Sequence, residues 1–376
     1  MWMSRNNAKV RGVVGLSLLM TITSCKFSKE SANNGEFVAF DSDYKQIIER
    51  AASLASRDAL SQNVHRLEIV KLGTSPIKVP FKVAIGETGR LAVLDPQCGG
   101  VYLFEHDGRL ISQLGERGRG PGKYLTPAAL ASTPEGFVVV DFTDHRVNIF
   151  DEDGHFRRSF IYTAQAFSST GILHDKMAGV FYLFGNRWRH DPSRSITTAD
   201  LLNIYDNDGT FVHSQFPFPP QWLPFHLMSA DAPITTSDEA DIGYFALPFE
   251  PILHRIDRKD NTVSDLSLGL PGFKAPTKPL PEDLRQLRNF RSWELEYTPI
   301  RAVAVCRGKL WIEYETHHGL RYSLAVLQPD TGKALSIIET NYLMVGSQSN
   351  GLTVFVNNPG AAESESKEIT YGYLNE

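Results

Sequence analysis

Leu91-Ala92-Val93-Leu94-Asp95, then Pro96 to Gly100, then Val101-Tyr102-Leu103-Phe104-Glu105-His106-Asp107-Gly108 is one of two copies of a single pattern. The other reads Phe137-Val138-Val139-Val140-Asp141, then Phe142 to Arg146, then Val147-Asn148-Ile149-Phe150-Asp151-Glu152-Asp153-Gly154. They align without a gap at an offset of 46 residues, from Gly108 to Gly154. Each copy is an apolar strand ending in Asp, a short connector, a second apolar strand and an Asp-Gly turn. Val138-Val139-Val140 is a run of β-branched residues, as a strand buried on both faces requires. Val147-Asn148-Ile149 alternates apolar and polar, as a half-buried strand does. Asp153-Gly154 offers two residues that tolerate positive φ, which predicts a type I′ hairpin turn. Phe156 and Phe160 then begin an outer strand.

Self-similarity at a period of roughly 40–50 residues is the mark of β-propeller blades. One four-stranded blade cannot cover both of its own faces, so such units stack radially about an axis. The fold expected is therefore all-β, with four-stranded antiparallel blades.

The pattern resembles the NHL-repeat propellers. Their blades carry a strand ending in Asp, then His-Arg-Val/Ile, then a strand ending in Asp-x-Asp-Gly. The matching residues are Asp141, His145-Arg146-Val147 and Phe150-Asp151-Glu152-Asp153-Gly154. Between the copies, Gly115-Glu116-Arg117-Gly118-Arg119-Gly120-Pro121-Gly122-Lys123-Tyr124, followed by Pro127, is similar to the linker of six-bladed propeller lipoproteins of Bacteroides-type bacteria. That resemblance is strong over about residues 80–215 and implies architecture more than activity.

Further blades follow in order. Blade three holds Val180 to Phe184 and returns as Leu202 to Gly209, with its additional residues in a loop from Gly185 to Asp200. Blade four holds Tyr244 to Leu247 and Ile252 to Asp257, and a long insertion runs from Pro271 to Tyr297. Blade five holds Ala302 to Val305, Lys309 to Tyr314 and Tyr322 to Leu327; blade six begins with Tyr342 to Val345 and Leu352 to Val356. Six blades suit the chain better than five or seven. Val64 to Leu72 reads as a strand that completes the last blade and removes its open edge. Asp43 to Leu60 has the spacing of a short helix, Pro281 to Arg288 has the Pro and acids of a helix start, and Ala361 to Lys367 is an acidic, Ser-rich tail.

The N-terminus supplies an address. Arg5, Lys9 and Arg11 precede an apolar stretch, Val13 to Ile22, too short to span a bilayer comfortably. Ile22-Thr23-Ser24-Cys25 then reads as a lipobox whose Cys25 is acylated. The divisions expected are a lipoprotein signal peptide over 1–24, a tether with a short helix over 25–60, and a six-bladed propeller over 61–376. Several acyl chains give stable anchoring, each buried methylene contributing about 0.8 kcal/mol. Lys26 is not the Asp that holds lipoproteins in the inner membrane, which favours the outer membrane, on its periplasmic or surface side. Loss of residues 1–24 moves the formal net charge from −5 to −8. An acidic surface argues against nucleic acid as a partner. Cys98 and Cys306 fall in blades one and five, which do not touch in a six-blade ring, so two separate thiols are expected.

Candidate ligand-binding residues come from the connections. Arg117 and Arg119 lie in the Gly-rich linker, where they can meet an anion at the channel mouth. Arg187, Trp188 and His190 form a cluster of the type that grips partners, and Trp222 and His226 sit in a second unusual, Pro-rich segment. The linker lacks the Ser/Thr and the helix of a phosphate loop. His317 and His318 are adjacent, so a strand would point them to opposite faces. Asp95, Asp141 and His145 read as structural parts of the repeat. No zinc spacing, nucleophile elbow or dinucleotide fingerprint is present, so no catalytic residue, metal or cofactor is assigned. The sequence thus points to a monomeric, membrane-anchored binding or scaffolding propeller of the bacterial cell envelope, with an envelope protein, peptide or glycan as partner. The alternative is a metal-assisted hydrolase or lyase with its site in the axial channel.

Overall fold

The computed structural model describes residues 64–374, apart from 73–75, 79, 163–165, 177, 189–198, 218–233, 238–241, 258, 261, 278–292, 294, 295, 307, 317–321, 341, 348–351 and 358–367. The expected helices at 43–60 and 281–288, Cys25 and the tail at 361–367 lie outside these residues. Apart from a short parallel pair, Glu116–Arg117 with Lys123–Tyr124, the described strands form six four-stranded antiparallel sheets. With strands lettered a to d outward from the axis, blade one is Lys82–Ile85, Leu91–Asp95, Gly100–Phe104 and Leu110–Gln113, and blade two is Pro127–Thr133, Gly136–Asp141, Arg146–Phe150 and Phe156–Ile161. Blade three is Ala166–Asp175, Val180–Trp188, Ala199–Asp206 and Phe211–Pro217, and blade four is Ile234–Ser237, Ile242–Ala246, Ile252–Asp257 and Thr262–Ser267. Blade five is Ile300–Cys306, Lys309–Glu315, Tyr322–Leu327 and Ala334–Thr340. Blade six takes Tyr342–Ser347, Leu352–Asn357 and Glu368–Leu374 from the end of the chain and Val64–Lys71 from its start.

Each a strand touches the a strands of the blades on either side, and the series returns from blade six to blade one. The ring is closed. Its clasp is the pairing of Val64–Lys71 with Glu368–Leu374, which turns an open edge into an internal ladder.

Alternation along each strand divides the core among six seams. Phe137 and Val139 pack with Leu94, Leu103 and Leu114 of blade one, while Val138 and Val140 pack with Phe181 and Leu183 of blade three. A strand whose successive residues serve two different cores is buried on both faces and favours a continuous apolar run. Strand b of blade two, buried throughout, accordingly runs Phe137-Val138-Val139-Val140 before its Asp.

The Asp-Gly turns differ from the type I′ expectation. The Gly154 N–H donates to Asp151 O at 3.0 Å, Asp151 N–H to His155 O at 2.9 Å, and positive φ falls on Gly154 (87°) and not on Asp153. This is a three-residue loop, a type I turn closed by a left-handed glycine. The shift in register that it causes is seen between Ile149 and Phe150. The glycine has a second duty, because the c–d turn lies on strand d of the preceding blade. A Cβ on Gly154 would meet Ser112 and Leu114 of blade one at 3.0 Å.

Strand lengths supply another correction. In blade three, strand b continues to Trp188 and strand c begins at Ala199, with Arg187 opposite Asp200 and Trp188 opposite Ala199. The expected loop from Gly185 is therefore shorter than the sequence suggested. Inner strand Ile234–Ser237 and strand Glu368–Leu374 had no separate sequence assignment.

Candidate functional site

Antiparallel order sends the a–b and c–d turns to one end of the ring and the b–c and d–a connections to the other. The a–b end is tied by short turns. Glu87 of blade one reaches Lys176 of blade three at 2.7 Å, and its N–H donates to Glu152 of blade two at 2.9 Å. Of the ligand-binding candidates among the described residues, Arg117 and Arg119 fall on a connection at the b–c end, and Arg187 and Trp188 on a strand end beside it.

Blades one and two build the best-defined part of this end. Asp141, fully buried, accepts N–H groups from Leu125 (2.9 Å), Thr126 (3.0 Å) and Thr143 (3.0 Å). Asp95 does the same for Lys78 (2.6 Å), Gln97 (2.7 Å) and Cys98 (3.3 Å). Both carboxylates thus tie down connector amides, as the repeat pattern suggested. Asn148 accepts from Gly122 N–H at 3.0 Å and donates to Lys123 O at 2.9 Å, which pins the Gly-rich linker. Tyr124, buried beneath it, takes N–H groups from Val101 (3.1 Å) and Gln113 (3.2 Å), and burial pushes its hydroxyl pKa up. His145, left-handed at φ 49°, stands edge-on to Tyr162, whose hydroxyl donates to Asp141 O at 3.1 Å.

On that frame Arg117 and Arg119 are displayed to solvent. Arg119 lies 3.7 Å from Asp144, which also meets Arg146 at 3.5 Å and accepts Gly120 N–H at 3.3 Å. The amides of Gly120 and Gly122 are thus engaged by Asp144 and Asn148, so this linker cannot cradle a phosphate with them. Any anion would have to be met by the exposed guanidinium groups.

Arg187 and Trp188 occupy the end of strand b of blade three, not a loop. His190, Trp222, His226, His317 and His318 lie outside the described residues. No disulfide joins Cys98 to Cys306, and burial pushes the Cys98 thiol up to about 11. Among the described residues, the group with ligand atoms close enough to share a metal is Asp151, Asp153 and His155. It sits in a c–d turn away from the axis. There Asp151 accepts the N–H groups of Asp153 (3.0 Å) and His155 (2.8 Å) and pairs with Arg157 at 3.2 Å, which is turn chemistry.

Sequence reasoning missed the acids of blade five. In Lys309–Glu315, Leu310, Ile312 and Tyr314 face blade four, so Trp311, Glu313 and Glu315 face blade six. Glu313 is 0% exposed; Oε2 accepts Met344 N–H from blade six at 2.8 Å, and Oε1 is buried without a partner among the described residues. Glu315 pairs with Arg301 at 2.5 Å through Nη2 and 3.0 Å through Nε. Burial pushes the Glu313 carboxyl up to about 8, with the Met344 N–H and the Arg301 charge pulling the other way. The available signal was Trp-x-Glu-x-Glu alternation inside a strand whose opposite face is wholly apolar.

Residues 42–158 match the DUF5128 family, described as a 6-bladed beta-propeller. No curated protein matches the chain. Among solved structures, a Bacteroides fragilis protein named as exported aligns at 13% identity over 83% of this chain and 95% of its own, with a TM-score of 0.59. A DUF4221-family member from Bacteroides vulgatus aligns at 10% identity over 83% and 97%, with a TM-score of 0.58. A Xanthomonas campestris gluconolactonase aligns at 12% over 85% and 93%, with a TM-score of 0.52. At these identities the likeness is one of fold. Six sheets in a closed ring, the family match over residues 42–158, and these structures lead to one conclusion: the chain is a six-bladed β-propeller, similar in fold to these two Bacteroides proteins.

Proposed function

We propose that this protein is a lipid-anchored binding propeller of the bacterial envelope that offers the b–c end of its ring to an extracytoplasmic ligand. One observation carries the reading. Val64 lies opposite Leu374 and Lys71 opposite Glu368, so the clasp strand starts at the a–b end and runs toward the b–c end. A tether from an acylated Cys25 would enter at the a–b end, which leaves the linker carrying Arg117 and Arg119 pointing away from the membrane. The strand end with Arg187 and Trp188 lies at that same b–c end. The outer membrane is the anchoring surface that Lys26 favours, and an envelope protein, peptide or glycan is the class of ligand.

The test uses the full chain. Metabolic labelling with a palmitate analogue should mark the wild type and not Cys25→Ala. Detergent-solubilised protein should bind members of a peptide and glycan array, and the double variant R117A/R119A should lose the anionic ones. Labelling that persists in Cys25→Ala would overturn the anchor, and unchanged binding by the double variant would overturn the face.

A further inference from the structure

We propose that Glu313 is a proton-dependent latch in the seam between blades five and six, holding that seam shut as a neutral acid and loosening it on ionisation. The geometry is that of an acid built to stay neutral. Its carboxyl is fully buried, Oε2 holds the Met344 N–H of the neighbouring blade, and Oε1 faces no hydrogen-bond partner among the described residues. A carboxylate there would leave charge on an oxygen that nothing solvates, which the interior does not tolerate.

Among the described residues the surroundings offer no spare countercharge. On the described faces of this seam the titratable groups are Arg301 and Cys306 from strand a, Glu315 from strand b, Tyr322 from strand c, and Tyr342 from strand a of blade six. Arg301 is held by Glu315, whose own carboxylate would repel a second one. Trp311 Nε1, on the same strand face, is also buried without a partner. An ionised Glu313 can gain solvation only by admitting water, and water enters only if the blades part.

Position gives the latch its effect. Blade six is assembled from both ends of the chain, so the seam it shares with blade five helps to hold the ring closed. Glu313 lies near the end of strand b, on the side of the b–c connection. The sign follows from the direction of the shift: burial raises the carboxyl from 4.5 to about 8. The folded form therefore retains its proton while the open form loses it. Protection is complete below the ordinary carboxylate range and is lost as pH rises through the folded value.

Hydrogen exchange of the full chain, corrected for the intrinsic rate at each pH, tests the latch. Protection of the Tyr342–Ser347 amides should fall by up to about tenfold per pH unit, the slope of one proton, and level off above the folded value. The neutral variant Glu313→Gln should give a flat profile. Strand Gly136–Asp141, remote from Glu313, should be flat in both proteins. Identical profiles in wild type and variant, or equal losses in both seams, would overturn the proposal. Should the variant fail to fold, infrared spectroscopy of wild type with carboxyl-labelled glutamate decides: a protonated-carboxyl band at neutral pH that titrates away supports the latch, and its absence ends it.

Discussion

Asn148 in blade two and Asn203 in blade three stand at the same place in strand c, and they live different lives. Asn148 lies opposite Val139, accepts from Gly122 and donates to Lys123, both in the linker from blade one. Asn203 lies opposite Leu183 and donates to Gly185 O at 3.1 Å within its own blade; its Oδ1 is buried without a partner among the described residues. Two residues beyond those strand b positions stand Asp141 in blade two and Gly185 in blade three. The strands are repeats of each other, but the linker that reaches them is not. Polar groups that hold a chemically distinctive linker in one blade are left over in the next, so the repeat dictates scaffold while the connections dictate site.

Removing the linker's strongest anchor should break the contrast most severely. Asp141→Ala leaves three amide N–H groups without their acceptor, and each unsatisfied buried donor costs about 1–3 kcal/mol. With some water entering, a loss of about 4 kcal/mol is expected in urea unfolding. The linker amides Leu125 and Thr126 should lose exchange protection first. A loss below about 1 kcal/mol would mean that Asp141 does not hold the linker.

The turn glycines extend the contrast to the neighbouring seam. Gly209 has φ 83°, and a Cβ there would overlap the Cβ and ring of Phe160 in blade two. Gly154 has φ 87°, but a Cβ there meets flexible side chains no closer than 3.0 Å. Left-handed strain alone costs roughly 1–2 kcal/mol. Gly154→Ala should cost about that, and Gly209→Ala about 3 kcal/mol because Phe160 and its blade must shift. Equal midpoints for the two variants would show that the two seams are packed alike.

These glycines also show where sequence reasoning ends. The Asp-x-Asp-Gly signal located the hairpin correctly, because Asp and Gly suit turns of several types. Only the chain's return path decides between a type I′ turn and a type I turn with a left-handed glycine. Strands were legible wherever alternate residues feed two apolar seams, as in Phe137–Val140. Ile234–Ser237, short and polar at all but its first position, carried no such signal. Neither did the partner of Glu313, since Met344 is brought to it by the packing of another blade. Arg187 and Trp188 were read as loop because the repeat ended before them, whereas the strand continues through them.

The asparagines themselves sharpen the comparison at smaller magnitude. Asn148→Ala strands the Gly122 N–H and the Lys123 carbonyl, and should cost about 2 kcal/mol. Asn203→Ala removes a buried oxygen that already lacks a partner, so the loss of its bond to Gly185 is partly offset. About 0.5–1 kcal/mol is expected there. Denaturation midpoints of the two variants, measured side by side, would reverse this order only if the linker were not the partner that matters.

The smallest expected effect on stability tests whether the linker is scaffold or site. Arg117 is exposed, and Arg119 is 73% exposed with its carboxylate neighbour at the long distance of 3.7 Å. Exposed ion pairs of this kind contribute less than about 1 kcal/mol. The double variant R117A/R119A should therefore unfold within about 0.5 kcal/mol of wild type, with Gly120 and Gly122 still pinned by Asp144 and Asn148. Anchoring of the linker is then separated from what the linker displays: Asp141→Ala disturbs both, and R117A/R119A disturbs display alone. If the double variant lost several kcal/mol, the two arginines would belong to the frame that Asp141 and Asn148 build, and the contrast between blades two and three would be one of stability with no binding face in it.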